Sequence, residues 1–321
     1  SGSKWNNVGN DGNATSLSYS YWDGTSPHNY TRDGTRTTLD SHSTGSNNST
    51  AHDLVFDEWD AVSSFNLTKV TEDGDGDPVG DLRVHVLDTM PSGAAAYAFY
   101  PSSTAKGGDI YYGSSIMGDA TDTDFVTEGY NWYTALHEIG HALGLSHPFD
   151  GGAADDSTLN LNLDSQRNTV MTYVQTDRNV RIAKSGSSLS YDRVSISTPG
   201  LLDIEAMEHL YGNTGWSHNN TATTYGGGSG IDAFDNNYDS IRVIADSGGV
   251  DTLDASGVTA TGSIINLTPG TYSSINYYAT DAEKIAAVSA GSASAEAWFT
   301  GQIANLDASA SAANDHYSGY T

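Results

Sequence analysis

The feature that most constrains this chain is the eleven-residue segment HEIGHALGLSH at residues 137–147. Apolar residues recur every three or four positions through residues 128–144, which predicts a helix. His137 and His141 are one turn apart on this helix and therefore lie on one face. Gly144 suits the position just past the helix end, where glycine accepts positive φ and the chain turns sharply.

The three histidines of this segment predict a metal site. Three residues beyond Gly144, His147 can complete a set of three imidazole ligands. Three neutral imidazoles leave zinc one open position, which is the pattern of catalytic rather than structural sites. Glu138 can hold a water beside the metal, take its proton and pass it to the leaving amine. Imidazole-rich sites favour zinc by geometry and availability rather than by absolute affinity.

The composition of the chain limits which partners and which metal ligands such a site can have. The 40 Asp and Glu residues outnumber the 13 Lys and Arg residues, and the net charge is −27. Such a surface repels nucleic acid and anionic membranes, so we expect neither as a partner. The chain has no cysteine, so zinc must rest on histidine and carboxylate side chains. The absence of cysteine beside abundant Gly, Ser, Thr, Asn and Asp is compatible with a secreted bacterial protein.

The pattern along the chain predicts two domains, residues 1–215 and 216–321. The first mixes strands and helices. Beyond residue 213 short strand patterns rich in Gly, Asp, Asn, Ser and Thr predict an all-β domain, and the Ala/Ser-rich tail at 286–321 is compatible with strands. In the first domain, strands are predicted at 14–22, 66–70, 81–87, 94–101 and 108–113, and further helices at 50–65 and 199–212.

The pattern HExxHxxGxxH resembles the metzincin signature of zinc endopeptidases, and Pro148 after the third histidine resembles the serralysin branch. Met171 in TVMTY resembles the methionine turn that lies beneath the metal in metzincins. The resemblance implies an α+β catalytic domain with a twisted mixed sheet and an active-site helix. It also implies that Tyr173 acts as a switchable zinc ligand and helps to stabilise the oxyanion.

A second stretch, AYAFYP at 96–101, resembles the serralysin edge strand that binds substrate. An extended peptide can pair with the free backbone groups of such a strand. The chain departs from serralysins at FDGGAADDSTLNLN, where a loop with glycine and tyrosine is usual, and at residues 174–198, so the cleavage preference stays open. The resemblance implies that a polypeptide substrate pairs with Ala96, Tyr97, Ala98 and Phe99.

The C-terminal part resembles a reduced version of the calcium-binding β-roll of serralysins. GGSGIDAF (227–234) matches the GGxGxDxUx repeat once, and DSGGVDTLDASG (246–257) resembles the segment that leads into the roll. The resemblance implies calcium ligands at Asp246, Gly248 and Asp251. Since no tandem array follows, plain Gly/Asp turns in a β-sandwich are the alternative. The acidic turn at 72–81 is a weaker calcium candidate because it lacks a distal glutamate.

The leading hypothesis is therefore a secreted, extracellular zinc metalloendopeptidase, monomeric and acting on extended polypeptides. One alternative is a catalytically inactive binding or adhesion module on a metzincin scaffold, and the retained Glu138 argues against it. Another is a zinc hydrolase of non-peptide substrates, and the peptide-pairing edge strand argues against that one.

Overall fold

A computed structural model describes residues 4–5, 15–22, 36–37, 48–72, 79–117, 129–150, 163–175, 180–185, 188–213, 215–226, 241–258, 262–275, 278 and 280–309. Within these ranges no helix is long and apolar enough to cross a membrane. The chain divides into two compact units. The first comprises Ser1–Val174, Ile196–Asn219 and Arg242–Ser247, and the second Gln175–Ser195, Asn220–Ile241 and Gly248–Thr321. The domain limits 1–215 and 216–321 stay a prediction.

A mixed sheet organises the first unit. Its strands are β1 (Thr15–Tyr21), β2 (Arg36–Thr37), β3 (Phe65–Lys69), β4 (Leu82–Leu87), β5 (Ala96–Ala98) and β6 (Asp109–Gly113). The strand order is β3-β1-β4-β6-β5, and β2 pairs with β4. The β1–β3, β1–β4 and β4–β6 pairs are parallel, whereas β5 runs antiparallel to β6 and ends the order.

Strands β4 and β6 are buried along their whole length, as strands of parallel sheets usually are. Arg83 of β4 is the one Lys or Arg side chain on these two strands, and it lies in the core beside Glu72. Its Nε donates to Glu72 Oε1 over 2.8 Å, and its Nη2 donates to Glu72 Oε2, so the two side chains form an ion pair. The pairing satisfies a charge that would otherwise be costly to bury.

Among the described residues, four helices accompany this sheet: α1 (Asn48–Ala61), α2 (Ser114–Met117), α3 (Tyr130–Ala142) and α4 (Leu201–Tyr211). All of α3 beyond Tyr130 is buried, and the indole Nε1 of Trp59 on α1 donates to the Leu136 carbonyl over 3.2 Å. The predicted strands and helices of the first domain are confirmed, with ends that shift by up to four residues. A short 3₁₀ helix also occupies Pro91–Gly93.

The second unit contains both strands and helices. Strands β7 (Val180–Ser185) and β8 (Ser188–Arg193) form an antiparallel pair, and β9 (Thr224–Gly226) runs parallel to β10 (Thr252–Asp254). Helices α5 (Asp281–Ser289) and α6 (Ala293–Ser309) follow. They pack through buried Ile285 and Phe299, joined by Tyr278, Val288 and Trp298.

The all-β prediction for residues 216–321 is therefore wrong, and strands in the tail are wrong up to Ser309. The physical reason is that the tail is rich in alanine, the strongest helix former, and has apolar residues that two helices bury against each other. The GGSGIDAF match at 227–234 and residues 73–78 of the acidic turn lie outside the described residues.

Candidate metal centre

The C-terminal end of α3 places the third histidine beside the first two. Gly144 has φ +107°, in the region that favours glycine. Its N–H donates to the His141 carbonyl, and the Leu145 N–H donates to the Gly140 carbonyl, both over 2.9 Å. These two bonds form a Schellman motif, which ends the helix and reverses the chain. His147 returns to the helix face as a consequence.

The three histidines bring their Nε2 atoms together. The Nε2 of His147 lies 3.2 Å from the Nε2 of His137 and 3.2 Å from that of His141. Within the described residues, these three are the only group of three or more His, Asp or Glu side chains that converge in this way. The structure thus brings together the ligand set predicted from the sequence.

Each histidine uses its other ring nitrogen to hold its orientation. His137 Nδ1 lies 2.7 Å from the Val170 carbonyl, and His141 Nδ1 lies 2.7 Å from the Leu145 carbonyl. A carbonyl only accepts, so each Nδ1 carries the proton and each Nε2 presents a lone pair. His147 Nδ1 likewise donates to Asp150 Oδ2 over 2.7 Å. Such partners fix the tautomer and ring direction of metal-binding histidines.

The donor set fits zinc. Nitrogen ligands around tetrahedral zinc lie about 3.4 Å apart when Zn–N bonds are about 2.1 Å. The two Nε2 separations of 3.2 Å are close to this value. Facing lone pairs at this separation repel each other, and a cation between them removes the repulsion.

The charge state of the first two histidines also suits a metal. Burial, followed by the neighbouring His141, lowers the pKa of His137 to about 3. Burial lowers the pKa of His141 to about 4. Both imidazoles are therefore neutral at pH 7, and the neutral form is the one that binds zinc.

Glu138 lies on the helix directly after the first ligand and is buried. Burial raises the pKa of Glu138 to about 8. Among the described residues no hydrogen-bond partner reaches its Oε2. A buried carboxylate without partners is costly, so this atom suits a role towards a bound water or substrate rather than towards the fold.

Tyr173 also reaches the cluster. Its hydroxyl donates to His147 Nε2 over 2.8 Å, and its ring lies 5.4 Å from the His137 ring. Burial, followed by the charges of Glu138 and Asp150, raises the pKa of Tyr173. The phenol is therefore protonated at neutral pH and can donate a hydrogen bond.

The turn that contains Met171 lies against α3. Met171 is buried, and a methyl group added at Gly140 would lie 2.5 Å from its Sδ and 3.1 Å from Trp59 Cζ2. Only glycine at this helix position lets the turn approach so closely. The neighbouring Val170 carbonyl then reaches His137.

Asp203 near the start of α4 holds this turn in place, and the sequence analysis missed it. Its Oδ2 accepts from the Val170 and Gly200 N–H groups, both over 2.7 Å, and its Oδ1 accepts from Thr169 Oγ1 over 2.5 Å. Burial raises its pKa to about 6. The sequence did carry a signal for this role: Asp203 is an acidic residue in the first turn of a helix that follows the dipeptide PG, where a carboxylate can accept from free N–H groups.

Two further residues beside His147 were also missed as functional candidates. Asp150 holds its Nδ1, and the ring of Phe149 stacks on its imidazole with centroids 4.8 Å apart and planes 7° apart. Both lie within three residues of a predicted ligand. A carboxylate so close in sequence to a metal-binding histidine, as Asp150 is, indicates a hydrogen-bond partner for its second ring nitrogen.

The candidate substrate strand is β5, which ends the sheet order. The Ala95 carbonyl accepts from the Gly113 N–H, and the Phe99 N–H donates to the Asp109 carbonyl, both over 2.9 Å. Because this pattern has a period of two, Ala96 and Ala98 direct their backbone groups towards the outer edge. Tyr97 and Phe99, the other two of the four predicted pairing residues, direct their backbone N–H and C=O groups towards β6.

The calcium candidates do not form a comparable cluster within the described residues. Asp246 and Asp251 belong to no converging group of three or more His, Asp or Glu side chains. Asp251 Oδ1 accepts from the Thr223 N–H over 3.0 Å. Gly248 has φ +157°. Calcium at Asp246, Gly248 and Asp251 stays a prediction.

Comparisons with known proteins agree with the geometry. A family model described as metallo-peptidase family M12 matches residues 13–182. The chain is 30% identical over 237 residues to a serralysin of Photorhabdus sp. (strain Az29), which covers 70% of this chain and 46% of the relative. It is 31% identical over 243 residues to a serralysin of Proteus mirabilis, with coverage of 68% and 46%. The metallopeptidase AprA of Pseudomonas marginalis is 31% identical over 238 residues, with coverage of 69% and 46%.

Proposed function

The chain belongs to metallo-peptidase family M12 and is of the serralysin type of metzincin, and from that premise we propose that it is a zinc endopeptidase that cuts extended polypeptides. The chain spans slightly less than half the length of the curated relatives named above. The convergence of three Nε2 atoms beside a buried Glu138 carries the proposal.

The proposed zinc ligands are His137, His141 and His147. Bound there, zinc supplies a Lewis acid that polarises the scissile carbonyl and favours ionisation of water. The hydrogen bonds from each Nδ1 keep the three imidazoles aimed at one point. The chain itself therefore orients the ligands and keeps two of them neutral.

Glu138 is the proposed general base and acid. It accepts a proton from the attacking water, whose oxygen bonds to the carbonyl carbon of the substrate. It then returns the proton to the amine nitrogen as the C–N bond breaks. Its Oε2 is available for this proton exchange, because no described side chain engages that atom.

Tyr173 is proposed to stabilise the oxyanion and to act as a switchable ligand. Its hydroxyl lies beside the Nε2 of His147 while its side chain is largely exposed. A phenol held there can donate a hydrogen bond to the developing negative charge on the carbonyl oxygen.

The substrate is proposed to pair with the outer edge of β5, chiefly through Ala96 and Ala98. An edge strand binds a peptide through main-chain bonds, which suits a broad range of polypeptide sequences. We further propose secretion, an extracellular monomeric state and one or two calcium ions in the Gly/Asp-rich part of the chain. The serralysin relatives and the acidic charge of −27 support these proposals.

The test is release of fluorescent peptides from labelled casein, with and without 1,10-phenanthroline. We expect cleavage that the chelator stops and zinc restores. Glu138→Gln should lower turnover by about 10³-fold or more while zinc remains bound, since only the proton-transfer group changes. Glu205→Gln, on the exposed face of α4, is the matched control. Undiminished turnover in Glu138→Gln would contradict the mechanism, and a folded, zinc-loaded protein that cuts nothing would contradict the function.

A further inference from the structure

The C-terminal end of α3 connects the second candidate ligand, His141, to the turn that leads to the third. The last carbonyls of a helix have no partner within the helix, and a buried carbonyl without a donor is costly. The carbonyls of Gly140 and His141 accept from N–H groups of the turn. Ala142 and Leu143, which follow, are fully buried, so bulk water does not reach their carbonyls. These two carbonyls therefore need donors from the protein.

Two side chains that are distant in sequence supply these donors, and we call the pair the carbonyl clamp: Trp5 and Tyr211. The indole Nε1 of Trp5 donates to the Ala142 carbonyl over 3.0 Å. The hydroxyl of Tyr211 donates to the Leu143 carbonyl over 2.6 Å. Burial raises the pKa of Tyr211 to about 12, so the phenol keeps its proton at neutral pH. The clamp thus fixes the two peptide groups with which the turn begins.

The backbone around Trp5 is itself held in place. The Trp5 N–H donates to the Tyr211 hydroxyl oxygen, and Lys4 Nζ donates to the Leu210 carbonyl, both over 3.3 Å. The indole lies against Gly108, because a methyl group added there would be 2.6 Å from Trp5 Cζ2. Gly108 directly precedes β6, so the indole lies between the start of a buried strand and the end of α3. A rigid ring therefore connects the end of this helix to the sheet.

The clamped turn carries the groups that complete the metal site. The Leu145 carbonyl accepts from His141 Nδ1 over 2.7 Å, and His147 lies two residues further on. A shift of the turn would move this carbonyl away from His141, and the Nε2 of His147 away from the other two Nε2 atoms. Groups that orient metal ligands without touching the metal typically change metal affinity by about 10- to 100-fold when they are removed.

We propose that Trp5 and Tyr211 are positioning residues of the zinc site, which hold the turn after α3 so that His147 completes the set of three ligands. This inference rests on the proposed function, since it assigns two more residues to the same site. Both residues act through the Ala142 and Leu143 carbonyls and take no part in proton transfer.

The test measures zinc binding in two conservative variants. Trp5→Phe keeps an aromatic ring beside Gly108 but removes the indole N–H, and Tyr211→Phe removes only the hydroxyl. We expect each variant to raise the zinc Kd by about 10-fold, measured by competition with a fluorescent chelator. The rate at which zinc passes to excess EDTA should rise by a similar factor, since a loosened ligand turn releases the ion faster.

Trp216→Phe is the matched control. Trp216 Nε1 donates to the carbonyl of Ala61, the last residue of α1, over 2.9 Å. This variant therefore also removes one indole hydrogen bond from the end of a helix, but α1 carries no candidate ligand. Its zinc Kd should stay within about 2-fold of the wild-type value, even if its urea midpoint falls as far as that of Trp5→Phe.

The outcomes separate the clamp from the proposed function. A wild-type zinc Kd in the folded clamp variants would overturn the inference and leave the proposed endopeptidase intact. An equal rise in Trp216→Phe would also overturn it, because lost stability alone would then explain the effect. If one clamp variant does not fold, the Kd of the other decides. The zinc measurements need no cleavage, and a wild-type protein that binds no zinc would overturn the proposed function and the clamp together.

Discussion

Gly140 is the residue where α3 and the methionine turn come closest. An alanine methyl there would meet Met171 Sδ at 2.5 Å and Trp59 Cζ2 at 3.1 Å, and both side chains are buried. Overpacking of this kind costs about 1–3 kcal/mol, more than the gain of up to about 1 kcal/mol from alanine in a helix. We therefore expect Gly140→Ala to lower the free energy of unfolding by up to about 2 kcal/mol, measured with urea.

The chain offers a matched control for this substitution. Gly301 is an exposed glycine within α6, and a methyl group there meets nothing within 4 Å. Gly301→Ala should therefore stabilise the protein by about 0.5–1 kcal/mol. If both variants changed stability in the same direction, the close approach at Gly140 would not be the cause.

The residues of the site differ in whether local or distant parts of the sequence determine their role. His137, Glu138, His141 and Gly144 follow from a local helix pattern, so their positions on and just past one helix could be predicted from spacing. Asp203 acts on a turn more than thirty residues earlier, through hydrogen bonds to Thr169 and Val170. No local periodicity reports such a contact, which is why the sequence did not reveal its role.

At the level of elements, α4 supports the methionine turn through Asp203. Asp203→Ala would leave the Val170 and Gly200 N–H groups buried without an acceptor, so we expect a loss of about 2–4 kcal/mol. Because the Val170 carbonyl orients His137, the zinc Kd should rise by about 10-fold. Urea unfolding and competitive zinc titration measure the two effects.

Asp203→Asn is the variant to compare with Asp203→Ala, and it should lower the free energy of unfolding only slightly. Its amide oxygen can still accept from both N–H groups, while the Thr169 hydroxyl turns to accept from its NH₂. Since burial raises the pKa of Asp203 to about 6, above its ordinary 3.8, ionisation weakens the fold between these pH values. The stability of wild type relative to Asp203→Asn should therefore fall as pH rises from 4 to 6. A loss as large as that of Asp203→Ala would contradict this assignment.

The elements differ in how well their patterns showed in the sequence. In the sheet-bearing unit the longer helices and all strands except β2 were predicted from periods of two or 3.6, whereas the short β2 and α2 were not. The β7–β8 pair was not anticipated. Helix α5 carried a usable signal that was overlooked: Thr280 and Glu283 match the capping-box spacing, and the Thr280 side chain accepts from the Glu283 N–H over 3.2 Å. Helix α6 has apolar residues without a clear stripe, so only its alanine content favoured helix.

For the whole molecule, the charge of −27 predicts a dependence on ionic conditions. Mutual repulsion of carboxylates weakens the folded state, and salt screens it over about 10 Å at 0.1 M. We expect the Tm to rise by several degrees between 0.01 and 0.5 M NaCl, and to fall when EGTA removes calcium. A Tm insensitive to both treatments would count against self-repulsion and against a structural calcium ion.

The location of all three histidines within eleven consecutive residues has a consequence for the denatured chain. Ligands so close in sequence remain near one another when the sheet is lost, so the unfolded protein keeps part of its affinity for zinc. Zinc then raises the free energy of unfolding by less than its affinity for the native state would suggest. The distant Val170 carbonyl and the methionine turn supply the remainder, because only the native state brings Val170 to His137 and Met171 to Gly140.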